Sequence, residues 1–270
     1  MSDRPRSGRA LRLAAAAEGP AGAPVLVLGN SLGTSRAVWD RQVAALAGRY
    51  RLLRYELPGH GGSAAPPGDY TIGELGAAVI ALLDEHGIGR ACYWGISLGG
   101  MIGMWLAATA PDRIAALGLV CTSAYLPPAD GWLARAGQVR AAGMACVSAA
   151  SAGRWFTAEF AAREPDLVRE FTAELERTSV DGYAGCCAAI AGMDLRGRLG
   201  CVAAPTLVIS GSQDPATPPS HGAIIAAGIP GARLLVIRRV AHLANVAAPG
   251  EVTAALVGHL TDAGVTMQGR

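Results

Sequence analysis

Apolar residues gather along the chain in short unbroken runs: "APVLVLG" (23–29), "RLLRYE" (51–56), "ACYWGI" (91–96), "ALGLVCT" (116–122), "PTLVISG" (205–211) and "ARLLVIR" (232–238). None keeps a strict alternation of apolar and polar positions, so each predicts a strand covered on both faces, as in a parallel sheet. Helical periodicity fills the intervals, at about 37–48, 71–86, 98–110, 217–228 and 250–263. Strand and helix in turn predict an α/β protein with a mostly parallel, doubly wound sheet.

One stretch breaks that rhythm. From about 125 to 200 there is no strand-like run, and "GWLARAGQVRAAG", "PDLVREFTAELER" and "VDGYAGCCAAIAG" read as short helices. The predicted organisation is a core made of residues 1–124 and 201–270, with a helical lid over 125–200 inserted between strands six and seven.

Composition narrows the function. A chain of 270 residues that is 51% hydrophobic and 16% charged can bury a large core. A net charge of +2 without a basic stripe argues against nucleic acid as a partner. All 23 basic residues are arginine, which excludes lysine Schiff-base chemistry. Cys92, Cys121, Cys146, Cys186, Cys187 and Cys201 show no C-x-x-C spacing and are expected as free, mostly buried thiols. No histidine pair has metal-ligand spacing, so no metal is expected. Arg12 interrupts the opening apolar stretch and no run reaches the length of a membrane span. The expectation is a cytoplasmic protein, with no membrane partner and with room for self-association as a homo-oligomer.

Ligands of open α/β sheets bind beyond the carboxyl ends of the strands, and three chemically capable residues fall there. Ser97 follows the run 91–96 within "GISLG", Asp214 follows 205–211 within "SQDPATP", and His242 follows 232–238 within "VAHLAN". G-x-S-x-G at a strand end forces a sharp strand-to-helix turn that lifts the hydroxyl out of the sheet, to a helix N-terminus where developing negative charge is favoured. The chain order serine, carboxylate, imidazole supplies a nucleophile, its base and the base's orienter. "LGNSLGT" (28–34) follows the first run, and its turn can aim the Leu32 N–H at the serine, with the Leu98 N–H as second oxyanion donor. Asn30 and Ser31 either brace that loop or meet the substrate. His60, in the tight turn "PGHGGS", reads as structural.

With these residues placed, the chain resembles the α/β-hydrolases, and within them the 3-oxoadipate enol-lactonases of bacterial aromatic catabolism. The narrower resemblance rests on "LGNSLGT", on "GISLGGMIGMWLA" around the serine, on "RWFTAEF" (154–160) and on "DGYAGCCAAIAGMDLR" (181–196). It implies hydrolysis of a small carboxylate-bearing enol-lactone through a seryl acyl-enzyme, in the β-ketoadipate route, with no cofactor. Another esterase, lactonase or cofactor-free perhydrolase of the same fold is the alternative. An anionic substrate calls for a cation, and "GWLARAGQVR" offers Trp132 and Arg135 on one helix face. Arg135 either pairs with the carboxylate or is a solvated helix residue, and Trp155 either walls the pocket or packs the lid. The sequence departs from the family at Pro58, where an arginine commonly precedes Gly-His-Gly.

Overall fold

All six apolar runs form strands, and a seventh strand joins them at the amino-terminal side. The computed structural model describes residues 11–265. Its sheet comprises β1 (Ala15–Glu18), β2 (Val25–Gly29), β3 (Arg51–Tyr55), β4 (Ala91–Ile96), β5 (Ile114–Val120), β6 (Thr206–Gly211) and β7 (Arg233–Ile237), in spatial order β1-β3-β2-β4-β5-β6-β7. Only β1 is antiparallel, pairing Ala15 with Tyr55 and Glu18 with Leu52. Its "AAAE" has little intrinsic strand preference, so pairing with β3 decides its conformation.

The helices of the core are α1 (Asp40–Leu46), α2 (Ile72–Glu85) and α3 (Leu98–Thr109). Then come α4 (Ala129–Ala142), α5 (Ala145–Trp155), α6 (Ala158–Arg163), α7 (Pro165–Arg177) and α8 (Val180–Ala191) without an intervening strand. The chain returns to the sheet and closes with α9 (Pro219–Gly228), α10 (Ala244–Ala247) and α11 (Pro249–Asp262). Local chemistry sets several boundaries. Thr71 and Glu74 form a reciprocal capping box at the start of α2, with the Glu74 N–H donating to Thr71 Oγ1 at 3.1 Å and the Thr71 N–H to Glu74 Oε2 at 2.8 Å.

Two expectations need correction. The helical insertion follows the fifth described strand and precedes the sixth, not the sixth and seventh. Among the described residues only β1 precedes the six runs, one strand fewer than that count needs. The last run is not covered on both faces. Among the described residues β7 is the sheet edge, and Leu234, Leu235 and Val236 remain 38–39% exposed. An edge position cannot be read from an apolar run.

The centre of the sheet is the most buried part. Every residue of β4 is buried, and Tyr93, Trp94, Leu26 and Leu28 are fully enclosed. β2 and β4 are adjacent and parallel, with Gly29 opposite Gly95. That register brings their carboxyl ends level, so the loops that leave them start side by side. Four cysteines (92, 121, 186 and 187) are buried free thiols, while Cys146 and Cys201 are exposed. Among the described residues no helix is long and apolar enough to cross a membrane.

Candidate active site

Ser97 sits in the turn between β4 and α3 with φ 55° and ψ −118°, a conformation L-residues rarely adopt. The surroundings hold it there. Its N–H donates to Val120 O at 2.9 Å, and its own carbonyl accepts from Thr122 Oγ1 at 2.7 Å. The two flanking glycines are required by close approach. A Cβ on Gly95 would lie 2.3 Å from the Gly99 carbonyl carbon, and one on Gly99 would lie 2.4 Å from the Gly29 carbonyl. Below, Tyr93 Oη donates to Gly99 O at 2.9 Å.

The loop after β2 is stitched to this turn and to the turn after β3. Gly99 N–H donates to Asn30 O at 2.9 Å. Asn30 is fully buried, and its Nδ2 donates to Tyr55 O at 2.7 Å, so its side chain braces the loop. Gly33, at φ 82°, donates its N–H to His60 Nε2 at 2.9 Å. His60 Nδ1 lies 2.9 Å from Pro58 O, so the neutral ring donates there and accepts from the loop. Burial outweighs the Pro58 bond and lowers the His60 pKa to about 4. Among the described residues, these bonds leave the Leu32 N–H without a protein acceptor. Leu98, first residue of α3, likewise has no intrahelical acceptor for its N–H.

His242 and Asp214 meet across the ends of β7 and β6, with Nδ1 to Oδ2 at 2.8 Å. Asp214 accepts three further bonds: Oδ1 from the Ala216 N–H at 2.8 Å and the Thr217 N–H at 3.0 Å, and Oδ2 from Thr217 Oγ1 at 2.7 Å. Burial works to raise its pKa, but the His242 charge and hydrogen bond, with those from Thr217, outweigh it and bring it to about 2. The carboxylate is therefore ionised and holds the imidazole with Nε2 left for other work.

Ser97 and His242 open on one cavity of about 290 Å³, roofed by the inserted helices. Leu32, Trp132, Arg135 and Trp155 line it as well. Asp214 does not, because it stands behind His242, and Leu98 offers only main chain at the head of α3. Pro58 is not among the lining residues. Arg135 stacks on Trp132 at 5.1 Å, and Trp132 Nε1 donates to Leu126 O at 3.1 Å. Trp155 is buried against Phe171, with ring centroids 6.3 Å apart.

Sequence reasoning missed Thr217, Tyr183 and Ser151. Thr217 had a readable signal, since Asp followed three residues later by Thr is a spacing at which the carboxylate caps the turn. Tyr183 and Ser151 had none: they reach the cavity through the packing of α8 and α5. A serine and an imidazole that open on one cavity, the imidazole backed by an ionised carboxylate, are the groups that nucleophilic acyl transfer requires.

Known proteins agree with this reading of the fold. A model of the alpha/beta hydrolase fold matches residues 24–143. A 3-oxoadipate enol-lactonase of Acinetobacter baylyi is 39% identical over 231 residues, 86% of either chain. The crystal structure of an enol-lactonase from Burkholderia xenovorans superposes with a TM-score of 0.90 at 39% identity, covering 92% of this chain and 96% of that one. That of a hydrolase from Pseudomonas aeruginosa gives 0.89 at 43% identity, over 92% and 94%.

Proposed function

The chain belongs to the α/β-hydrolase family, and on that premise we propose that it hydrolyses a small enol-lactone bearing a free carboxylate, of the 3-oxoadipate enol-lactone kind, as a step of aromatic catabolism. The observation that carries the substrate class is the cavity's charge. Arg135 and Arg154 both line it, and no aspartate or glutamate does. A half-open cavity with two guanidinium groups and no counter-charge in its lining favours an anion. The similar proteins named as enol-lactonases supply the lactone.

Ser97 Oγ attacks the lactone carbonyl and its proton passes to His242 Nε2. Asp214 orients the imidazole and stabilises the imidazolium that forms. The oxyanion of the tetrahedral intermediate is held by the Leu32 and Leu98 N–H groups, each donor being worth about 3–4 kcal/mol in comparable sites. Collapse breaks the ring C–O bond, His242 returns the proton to the departing enol oxygen, and the enol tautomerises to a ketone. Water, deprotonated by His242, then cleaves the acyl-enzyme and Ser97 recovers its proton. Trp132 and Trp155 wall the cavity, and Arg135 and Arg154 supply the positive charge that draws in the free carboxylate.

The test is direct. Purified protein is assayed with 3-oxoadipate enol-lactone, with its methyl ester and with 4-nitrophenyl acetate. A kcat/KM for the anionic lactone at least about 30-fold above that of its methyl ester is expected. Preference for the neutral esters would sink the assignment and leave a general esterase.

A further inference from the structure

Arg154 differs from Arg135 in what its main chain does. It is the penultimate residue of α5, and its guanidinium faces the cavity, held by Nη2 to Ser151 Oγ at 3.1 Å. Ser151 Oγ in turn donates to Val147 O at 2.8 Å within the helix. At the same residue the carbonyl accepts the His242 N–H at 3.4 Å, and the next carbonyl, of Trp155, accepts the Leu243 N–H at 3.0 Å. These two carbonyls lie at the carboxyl end of α5, where carbonyls lack intrahelical donors. The end of one inserted helix therefore carries the loop that presents the imidazole. Arg135 on α4 has no such bond to that loop.

The surroundings of the Arg154 guanidinium await a ligand. Burial, and then the charge of Arg135, lower its pKa, so the cation is held at a cost that an anion would offset. Tyr183, only 2% exposed, lines the same cavity, and its hydroxyl has no protein partner among the described residues. Tyr183 is close enough to both arginines to feel their charges.

We propose that Arg154 couples recognition of the substrate's carboxylate to the placement of His242. The guanidinium, with the Tyr183 hydroxyl beside it, takes the anion, and this fixes the end of α5. The Arg154 and Trp155 carbonyls then hold the His242–Leu243 main chain in the position from which Nε2 serves Ser97. Arg154 is a positioning residue for the base as well as a contact for the substrate, whereas Arg135 contributes attraction alone. An anionic substrate thus completes the site that hydrolyses it, and a neutral one of equal size does not. The inference rests on the anionic substrate proposed above but not on its being an enol-lactone.

The experiment uses two activated esters of equal chain length, the 4-nitrophenyl monoester of adipic acid and 4-nitrophenyl hexanoate, on the full protein and on Arg154→Met, Arg154→Lys and Arg135→Met. For Arg154→Met, kcat on the adipate monoester is expected to fall at least about 30-fold more than kcat on the hexanoate. Arg154→Lys, and Arg154→Met supplemented with millimolar guanidinium, should recover part of that kcat. Arg135→Met should act mainly through KM. A rise in KM alone for Arg154→Met, or equal kcat losses on the two esters, overturns the coupling. Should Arg154→Met fail to fold, judged by circular dichroism and melting, Arg154→Lys reads the same split. Failure of the substrate assignment looks different: the enol-lactone is not turned over, while the adipate monoester still shows the Arg154-dependent kcat.

Discussion

The cavity has two walls built on different principles. The floor, made of the turns after β2, β3 and β4, is fixed by main chain against main chain. Gly95, Gly99 and Gly29 approach too closely for any side chain, Asn30 and His60 tie the turns together by hydrogen bonds, and Thr122, just past β5, holds the Ser97 carbonyl. The roof, made of α4, α5 and α8, reaches the cavity with long side chains, Trp132, Arg135, Arg154 and Tyr183, carried on short helices. The comparison teaches where each property is held. The floor sets the bond-making geometry, and the roof sets what may be bound. Two main-chain links join them: the Ser179 N–H at the head of α8 donates to Gly59 O at 2.9 Å in the turn after β3, and the α5 end holds the histidine loop.

The contrast can be broken most severely at the floor. Ser97→Ala should reduce kcat by about a millionfold, the loss seen when one member of such a unit is removed, and His242→Ala should add little on top of it. A serine-directed phosphonate should label the protein at Ser97 alone. Residual activity above about a thousandth of wild type would place the nucleophile elsewhere.

Gly99→Val tests the floor without touching a reactive atom. Its Cβ would meet the Gly29 carbonyl at 2.4 Å, so the turns after β2 and β4 must separate. Misplacing an oxyanion donor costs about 100- to 1000-fold in kcat, and the strain should cost about 1–3 kcal/mol, read as a lower melting temperature. The opposite result, full activity with an unchanged melting point, would show the turns to be far looser than drawn.

At the roof the effect should be smaller and should depend on the substrate. Arg135→Gln is expected to lower kcat/KM for a carboxylate-bearing lactone by about 30-fold or more. A neutral ester of similar size should lose much less. Equal losses on both would mean that Arg135 only holds α4.

The smallest effect on activity concerns the brace, and pH exposes it. His60 titrates near 4 in the folded protein, below the ordinary 6.5, because burial disfavours its charged form. The unfolded chain therefore binds more protons between those values. The His60 contribution is fully present above about 6.5, declines as pH falls, and is lost below about 4, amounting to about 3 kcal/mol. Glu56 opposes it. Burial raises the Glu56 carboxyl to about 7, against the hydrogen bond and charge of Arg36. Its contribution is present below its ordinary 4.5 and is lost as pH rises through 7. Chemical denaturation from pH 4 to 8 should show His60→Asn losing less stability on acidification than wild type, and Glu56→Gln losing more. Parallel curves for all three would mean that neither group is shifted.

Sequence alone carried most of the fold and the floor of the site, and the reason is locality. A strand end followed by G-x-S-x-G constrains five consecutive residues through their own backbone, so the turn at Ser97 is legible without knowing what packs on it. The strand-end positions of Asp214 and His242 follow from apolar runs of ordinary strand length. The capping box at Thr71 and Glu74 is equally local.

Tertiary structure decided what depends on neighbours far along the chain. β1 is a strand because β3 pairs with it, and β7 lies exposed at the edge of the described sheet. His60 read as a turn residue, yet its ring holds Gly33 because the turns after β2 and β3 leave adjacent strands. Thr217 could be found from its spacing to Asp214, but Tyr183 and Ser151 enter the cavity only through the way α8 and α5 pack. Arg154 is the extreme case. Its side chain was visible in "RWFTAEF", but the bond from its carbonyl to the His242 N–H joins segments whose meeting no local pattern encodes. Main-chain geometry repeats wherever the same few residues recur, whereas the meeting of distant helices is settled by the burial of whole surfaces at once.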